Sequence, residues 1–352
     1  MKDLTLELIE RVRQARTDST QLQIVGGGSK AFMGREAEGE PLSLSEHSGI
    51  LSYQPIELVL TARAGTPVVE IDAVLAERGQ MLAFEPPLFD GRATIGGTLA
   101  CHLSGPGRPW SGSVRDHVLG IRLINGRGEA LRFGGQVMKN VAGYDVSRMQ
   151  AGAMGTLGII SEVSLKVMPR PAATLTLRRK MDAPQAIEEM NRLAGQPKPL
   201  TGACWFDNHL YLRLAGARSA VESTASQWSG TVLEEGDALW RKLGEQQLDY
   251  FSGEAPLWRF SLNSRARHLL PEEDWLLDWG GSQRWLRGDF ARDELEALAE
   301  NAGGQVSLYR GGDRRQEVLH RQPDALRQLH QRLKDAFDPD GIFNPGRLYS
   351  WM

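Results

Sequence analysis

Three glycine-rich stretches in the first half of the chain carry the residue types needed to hold an anion. Gly26-Gly27-Gly28-Ser29-Lys30 follows the strand-like run Q-L-Q-I-V. Consecutive amide N–H groups there can converge on one negative charge, Ser29 adds a hydroxyl donor and Lys30 adds a positive charge. The second stretch, A-T-I-G-G-T-L-A at 93–100, again places backbone amides among small residues. The third, 137–160, sets four glycines, Lys139, Asn140 and the pair Tyr144-Asp145 in an otherwise apolar run. Buried polar groups need partners. One such loop is ordinarily a surface turn, but three within residues 26–160 are better explained by a long ligand. Two phosphates, a sugar and a flat ring system would use all of them, and FAD fits.

Two familiar nucleotide signatures are excluded. Gly26, Gly28 and Ala31 satisfy G-x-G-x-x-A, but that motif must open a helix. Here the following F-M-G-R-E-A-E-G-E-P is polar, broken by glycine and closed by proline. No G-x-x-x-x-G-K-[ST] run occurs. Cys101 and Cys204 are too few and too far apart for a zinc or iron–sulfur site. The seven histidines (47, 102, 117, 209, 268, 320 and 330) are scattered without metal spacing, so no metal is expected.

The elements that must position these loops can be read from periodicity. Leu4, Leu8, Val12 and Ala15 form one stripe of an opening helix. Residues 56–62 read as a strand, followed by a helix to Arg78 with Thr66 as N-cap, Pro67 as first helical residue and Gly79 as stop. A Gly/Pro-rich loop covers 85–113. V-L-G-I-R-L-I, Asn125-Gly126 and E-A-L-R-F read as a hairpin. A strand from Ile159 ends at Pro169-Arg170-Pro171, where a domain boundary is expected. The later segment differs in texture and holds seven of the nine tryptophans. A last helix with Leu326, Leu329, Leu333 and Phe337 on one face stops at Asp338-Pro339-Asp340-Gly341. The expected domains are therefore 1–171, 172–335 and a tail, 336–352, that packs back on the first.

Composition excludes several classes of function. With 41 basic and 44 acidic residues the chain has no electrostatic footprint for nucleic acid. The N-terminus lacks a signal peptide's apolar core, and no run is long enough to span a bilayer. A cytoplasmic protein is expected, with any association at the inner face of the membrane made through partners.

Taken together, G-G-G-S-K-A-F, A-T-I-G-G-T-L-A, G-S-V-R-D-H-V-L-G, V-M-K-N-V-A-G-Y-D-V-S-R and G-A-M-G-T-L-G-I-I resemble the FAD-linked oxidases of the vanillyl-alcohol oxidase type. The tail F-N-P-G-R at 343–347 matches as well, and within that group the chain is most similar to FAD-binding subunits of bacterial glycolate-oxidising complexes. The resemblance implies an α+β fold: a two-lobed FAD-binding domain plus an antiparallel-sheet cap. It implies that Gly26, Gly27, Gly28, Ser29 and Lys30 cradle the FAD pyrophosphate, with Thr94, Ile95, Gly96 and Gly97 along the pyrophosphate and ribityl chain. Arg115 and Asp116 either approach the cofactor or brace its loop. Lys139, Asn140, Gly143, Tyr144 and Asp145 shape the wall near the flavin ring, although Tyr144 could equally be a packed aromatic. Gly155, Thr156, Gly158 and Ile160 run beside the adenine.

Two departures from the family pattern carry expectations of their own. No histidine lies in the first glycine loop, so the FAD should be non-covalent. The G-D-G-N-x-H type of signature, which in self-sufficient relatives serves 2-hydroxy-acid oxidation, is missing from 172–352, and no catalytic residue can be named. His209 is the nearest imitation; Arg259, Arg265 and Arg267 could hold a carboxylate or be arginine-rich surface. The expected partners are a related catalytic flavoprotein subunit, an iron–sulfur subunit that passes electrons to a quinone, and a small 2-hydroxy acid. The alternatives are an assembly subunit with vestigial FAD, or a self-sufficient oxidoreductase for D-lactate or a sugar.

Overall fold

The fold is described from a computed structural model covering residues 2–135 and 145–352. The chain forms two compact units. The first comprises 1–103, 113–169 and 313–352; the second comprises 104–112 and 170–312. Two pieces therefore differ from the expected boundaries. Residues 104–112 leave the glycine-rich half for the second unit, and 313–335 return to the first.

In the first unit, five antiparallel strands lie in the order Ile50–Gln54, Val59–Arg63, Ile159–Lys166, Val118–Ile124, Ala130–Gly134. The expected strand at 56–62 is displaced toward Arg63, because residues 55–58 form the turn that feeds it. Helix Val68–Ala76 starts one residue later than expected. Pro67 occupies the N-cap position, and the Thr66 hydroxyl donates to the Arg63 carbonyl while accepting from the Gly49 amide. Val68, Ile71 and Leu75 of this helix, with Ile95 and Leu99 of helix Ile95–Cys101, pack on Leu60, Ile121, Val163 and Leu165 of the sheet. Each fully buried aliphatic side chain contributes roughly 1.5–3 kcal/mol.

A second core in the same unit gathers Leu8, Val12 and Ala15 of helix Thr5–Thr17 with Leu22, Ile342 and Phe343. The short parallel pair Leu22–Val25 and Glu40–Ser43 is extended by a bridge from Leu22 to Phe343. This is where the tail packs back. Buried Lys334 secures it, donating to Asp338 at 2.6 Å and to the carbonyls of Thr156 and Phe343 at 2.8 Å. The final helix, Asp324–Phe337, buries Lys334 rather than its apolar stripe, and Leu326 and Leu329 stay exposed.

The second unit is built on eight antiparallel strands, in the order Thr231–Val232, Ala173–Lys180, His209–Gly216, Leu200–Phe206, Trp275–Asp278, Gln283–Arg287, Leu257–Ser261, Gln305–Arg310. The helix Ala183–Ala194 is started by Asp182, whose side chain accepts from the Gln185 amide at 2.9 Å, and by a proline in its first turn. Such a cap contributes about 1 kcal/mol. Its apolar face, Ile187, Met190 and Leu193, is buried.

Candidate functional site

The site lies in the first unit, where the strand Leu22–Val25 runs out into the first glycine loop. A cavity of about 980 Å³, open to solvent, is lined by Gly26 through Ala31, Thr94, Gly96, Gly97, Ala100, Cys101, Met154, Gly155, Gly158, Ile160, Asn344 and Arg347, with Gln23, Ile24, Val25, Leu44 and Ala64 completing its wall.

Close backbone approach decides the glycines. A Cβ on Gly27 would overlap the Arg92 carbonyl oxygen, so the loop can lie on the segment 92–97 only without a side chain. Gly28 has φ +69°, and a Cβ placed there would meet nothing within 4 Å. The amides of Gly26, Gly27, Gly28 and Ser29 donate to none of the described residues. Donors that a fold leaves unused beside a cavity are suited to an anion. Lys30, mostly buried, donates to Ser29 Oγ at 3.3 Å and lies 5.7 Å from the centre of the Phe89 ring.

The second glycine stretch contributes differently from the expectation. Amides of its middle residues are already used: Ile95 N–H donates to the Thr66 carbonyl at 3.0 Å and Gly96 N–H to the Ala64 carbonyl at 2.9 Å. Gly97 N–H donates to Thr94 Oγ1 at 3.3 Å, capping helix Ile95–Cys101. Gly96 and Gly97 thus form wall rather than donors, Thr94 lines the cavity beside them, and Ile95 is fully buried in the core beneath.

Several expected residues are elsewhere. Arg115 is exposed, and Asp116 accepts from Ser113 N–H and Oγ, both at 2.8 Å, in a capping box; neither lines the cavity. Asp145 caps the turn Val146–Met149 through the Arg148 amide. Thr156 is fully buried and donates to the Ala153 carbonyl, whereas Gly155, Gly158 and Ile160 do reach the cavity. Lys139, Asn140, Gly143 and Tyr144 lie outside the described residues. His209 follows the tight turn at Asp207-Asn208, both with positive φ, and its Nδ1 pairs with the Asp207 carbonyl.

The tail supplies what the glycine loops alone did not disclose. Asn344 Oδ1 accepts from Ile24 N–H at 2.7 Å and its Nδ2 donates to the Met154 carbonyl at 2.5 Å. Arg347 donates to the carbonyls of Ala31 and Arg35 at 3.0 and 2.8 Å. Burial pulls the Arg347 pKa down, with the Cys101 thiol opposing. Burial pushes the Cys101 thiol up against the pull of Lys30 and Arg347, so it stays protonated at neutral pH. Lys30 and Arg347 give the cavity a positive character. The signal for these tail residues was F-N-P-G-R, but nothing in its spacing says which loop it meets. Among the described residues no group of three or more His, Cys, Asp or Glu could hold a metal ion.

Unused amides, two cations and a wall stripped of side chains fit an elongated dianionic cofactor, and comparison with known proteins identifies it. The FAD binding domain family matches residues 5–134, and the C-terminal domain of the FAD linked oxidases matches residues 291–348. The p-cresol methylhydroxylase structure superposes with a TM-score of 0.76, covering 98% of this chain and 88% of that one at 16% identity. Alkyldihydroxyacetonephosphate synthase gives 0.68, over 97% and 75%, also at 16% identity. Both likenesses establish the fold, an α+β flavoprotein fold with antiparallel sheets. The protein is a flavin-dependent oxidoreductase that binds FAD.

Its sequence is 48% identical to glycolate oxidase subunit GlcE of Escherichia coli (strain K12), over 99% of this chain and 98% of that protein. Glycolate oxidase subunit GlcD of Bacillus subtilis (strain 168) is 34% identical, over 40% of this chain and 30% of its own length. The chain belongs to the family of the glycolate oxidase subunit GlcE.

Proposed function

We propose that the chain is the FAD-binding subunit of a complex that oxidises glycolate to glyoxylate. In this reading its partners are a related flavoprotein subunit, which carries the histidine-rich signature, and an iron–sulfur subunit that passes electrons to a quinone. The observation that carries the reading is the set of four unused amides, Gly26 to Ser29, flanked by Lys30 and Arg347. These groups would hold the pyrophosphate by hydrogen bonds and by charge. FAD, when bound, supplies two-electron chemistry that no side chain offers.

The binding is non-covalent in this reading. No histidine is among the residues lining the cavity, and the Cys101 thiol there is protonated. No helix among the described residues is long and apolar enough to cross a membrane, so membrane association would come through partners. The same lack of imidazoles supports an electron-relay role, with substrate oxidation completed only in the assembled complex.

The test is an anaerobic visible spectrum before and after glycolate, on the isolated chain and on the reconstituted complex. The reading expects the isolated flavin to stay oxidised and the complex to bleach. Bleaching of the isolated chain would replace it with a self-sufficient dehydrogenase. Full turnover by a complex whose subunit has lost its FAD would make the subunit a scaffold.

A further inference from the structure

The second unit holds a guanidinium that donates to none of the described residues, gathered with another at one tryptophan. Arg259 is on the strand Leu257–Ser261, between two neighbouring strands, on the same face as its cross-strand partner Trp285. Its Cζ is 5.3 Å from the centre of the Trp279 ring, and Arg108 Cζ is 4.5 Å from the same centre. Two other arginines of this unit, fully buried Arg284 and partly buried Arg287, spend their donors on the protein. Arg284 donates to the carbonyls of Ala266, Arg267 and Gly281, and Arg287 to those of Tyr250, Phe251, Gly253 and Ala255. The guanidinium of Arg259 donates to none of the described residues.

Two further observations make this an assembled place rather than an accident of packing. Trp279 has φ +53°, a left-handed conformation that a bulky residue adopts only when its surroundings enforce it. Here they do: Asp278 Oδ1 accepts from the Trp279 amide at 2.7 Å, and the indole N–H donates to the Gly105 carbonyl at 3.0 Å. The charges also do not favour one another. Burial lowers the Arg259 pKa, Arg108 lowers it further, and Tyr309 and Asp278 oppose. A desolvated cation with unused donors beside a second cation is stabilised by an anion. The flat guanidinium fork matches a carboxylate, donating two parallel N–H···O bonds to it.

We propose that Arg259 and Arg108, held at Trp279, form a binding site in the second unit for the carboxylate of a small 2-hydroxy or 2-oxo acid. The choice of carboxylate rests on the glycolate reading above; the anion site itself rests on the geometry. No bond is made or broken at this site, and Arg259 acts by binding.

The test uses the full FAD-loaded chain and isothermal titration with glycolate under anaerobic conditions, with acetate and inorganic phosphate as companions. Arg259→Met should weaken glycolate binding roughly 10- to 100-fold, the loss expected for a charged hydrogen-bonded contact. Arg259→Lys should fall between, and Arg108→Gln should weaken binding less. Exposed Arg218→Gln, in the same unit, should change nothing. Circular dichroism and the flavin-to-protein ratio should match the parent throughout. If Arg259→Met does not fold, Arg259→Lys and Arg108→Gln still decide the matter. Unchanged affinity in the Arg259 variants, or no glycolate binding by the parent chain, overturns the site. Phosphate binding more tightly with the same Arg259 dependence overturns the carboxylate assignment. The functional reading fails separately: a complex that cannot oxidise glycolate, with Arg259-dependent binding intact, removes that reading and leaves the site. Unchanged glycolate affinity of Arg259→Met by titration, with normal glycolate oxidation by the complex, removes the site and leaves the reading.

Discussion

Gly27 and Lys30 divide the labour of the first loop between shape and charge. A methyl group on Gly27 would overlap the Arg92 carbonyl, so Gly27→Ala must push the loop off its seat. Overpacking of this kind costs ~1–3 kcal/mol. The expected result is a lower urea midpoint together with substoichiometric flavin in the purified protein. Lys30 should matter for affinity alone. Lys30→Met removes a charged donor beside the unused amides, and about 10- to 100-fold weaker FAD binding is expected. Titration of the flavin-stripped chain with FAD, followed by flavin fluorescence, reads that loss; unchanged affinity would remove Lys30 from the site.

At the scale of elements, the tail is held by a few buried polar groups rather than by apolar area alone. Lys334 joins helix Asp324–Phe337 to the turn at Thr156 and to the tail at Phe343. Burial lowers its pKa while Asp338 raises it. Lys334→Met would strand the fully buried Asp338 carboxylate and two carbonyls, and breaking such a pair costs about 3–5 kcal/mol. Because Asn344 and Arg347 follow directly, the same variant should also retain FAD poorly. Urea denaturation and the flavin-to-protein ratio measure the two effects. A variant as stable as the parent would show that the apolar packing of Ile342 and Phe343 suffices.

Across the whole molecule, three histidines are kept neutral by burial, and together they set a pH dependence. His47 accepts from the Leu4 amide through Nδ1 at 3.0 Å and pairs with the Ser161 carbonyl through Nε2 at 3.1 Å. Its pKa, and those of His268 and His330, lie below the ordinary 6.5, chiefly through desolvation. Above 6.5 both folded and unfolded chains hold these rings neutral, and the full stability is present. As pH falls through 6.5 the unfolded chain takes up protons that the folded chain refuses, so stability declines toward the lowered folded values. Urea midpoints measured from about pH 8 down to about pH 5.5 should therefore fall, and His47→Gln should flatten the slope. Acid precipitation of the protein should release all of its flavin into the supernatant, as non-covalent binding requires; flavin left in the pellet would contradict it.

Much of this protein is legible in residue order, because local rules govern it. The opening helix follows from its stripe of Leu4, Leu8, Val12 and Ala15, and the hairpin from Asn125-Gly126. The class of ligand follows from the glycine loop at 26–28, where Gly26 and Gly27 leave no room for a side chain and Gly28 takes a positive φ. What each loop does with its donors could not be read this way. Ile95 to Gly97 look as available as Gly26 to Ser29, yet their amides are taken by Thr66, Ala64 and Thr94. Arg115 and Asp116 stand in a suggestive motif but serve a turn. Arg347 and Asn344 enter the site from more than 300 positions away, and Arg108 meets Arg259 at Trp279 only because the second sheet brings them together. Sequence by itself determined which local conformations were permitted and which chemistry was on hand. Hydrogen-bond pairing between distant segments, decided only in three dimensions, settled which of those groups were left over for a ligand.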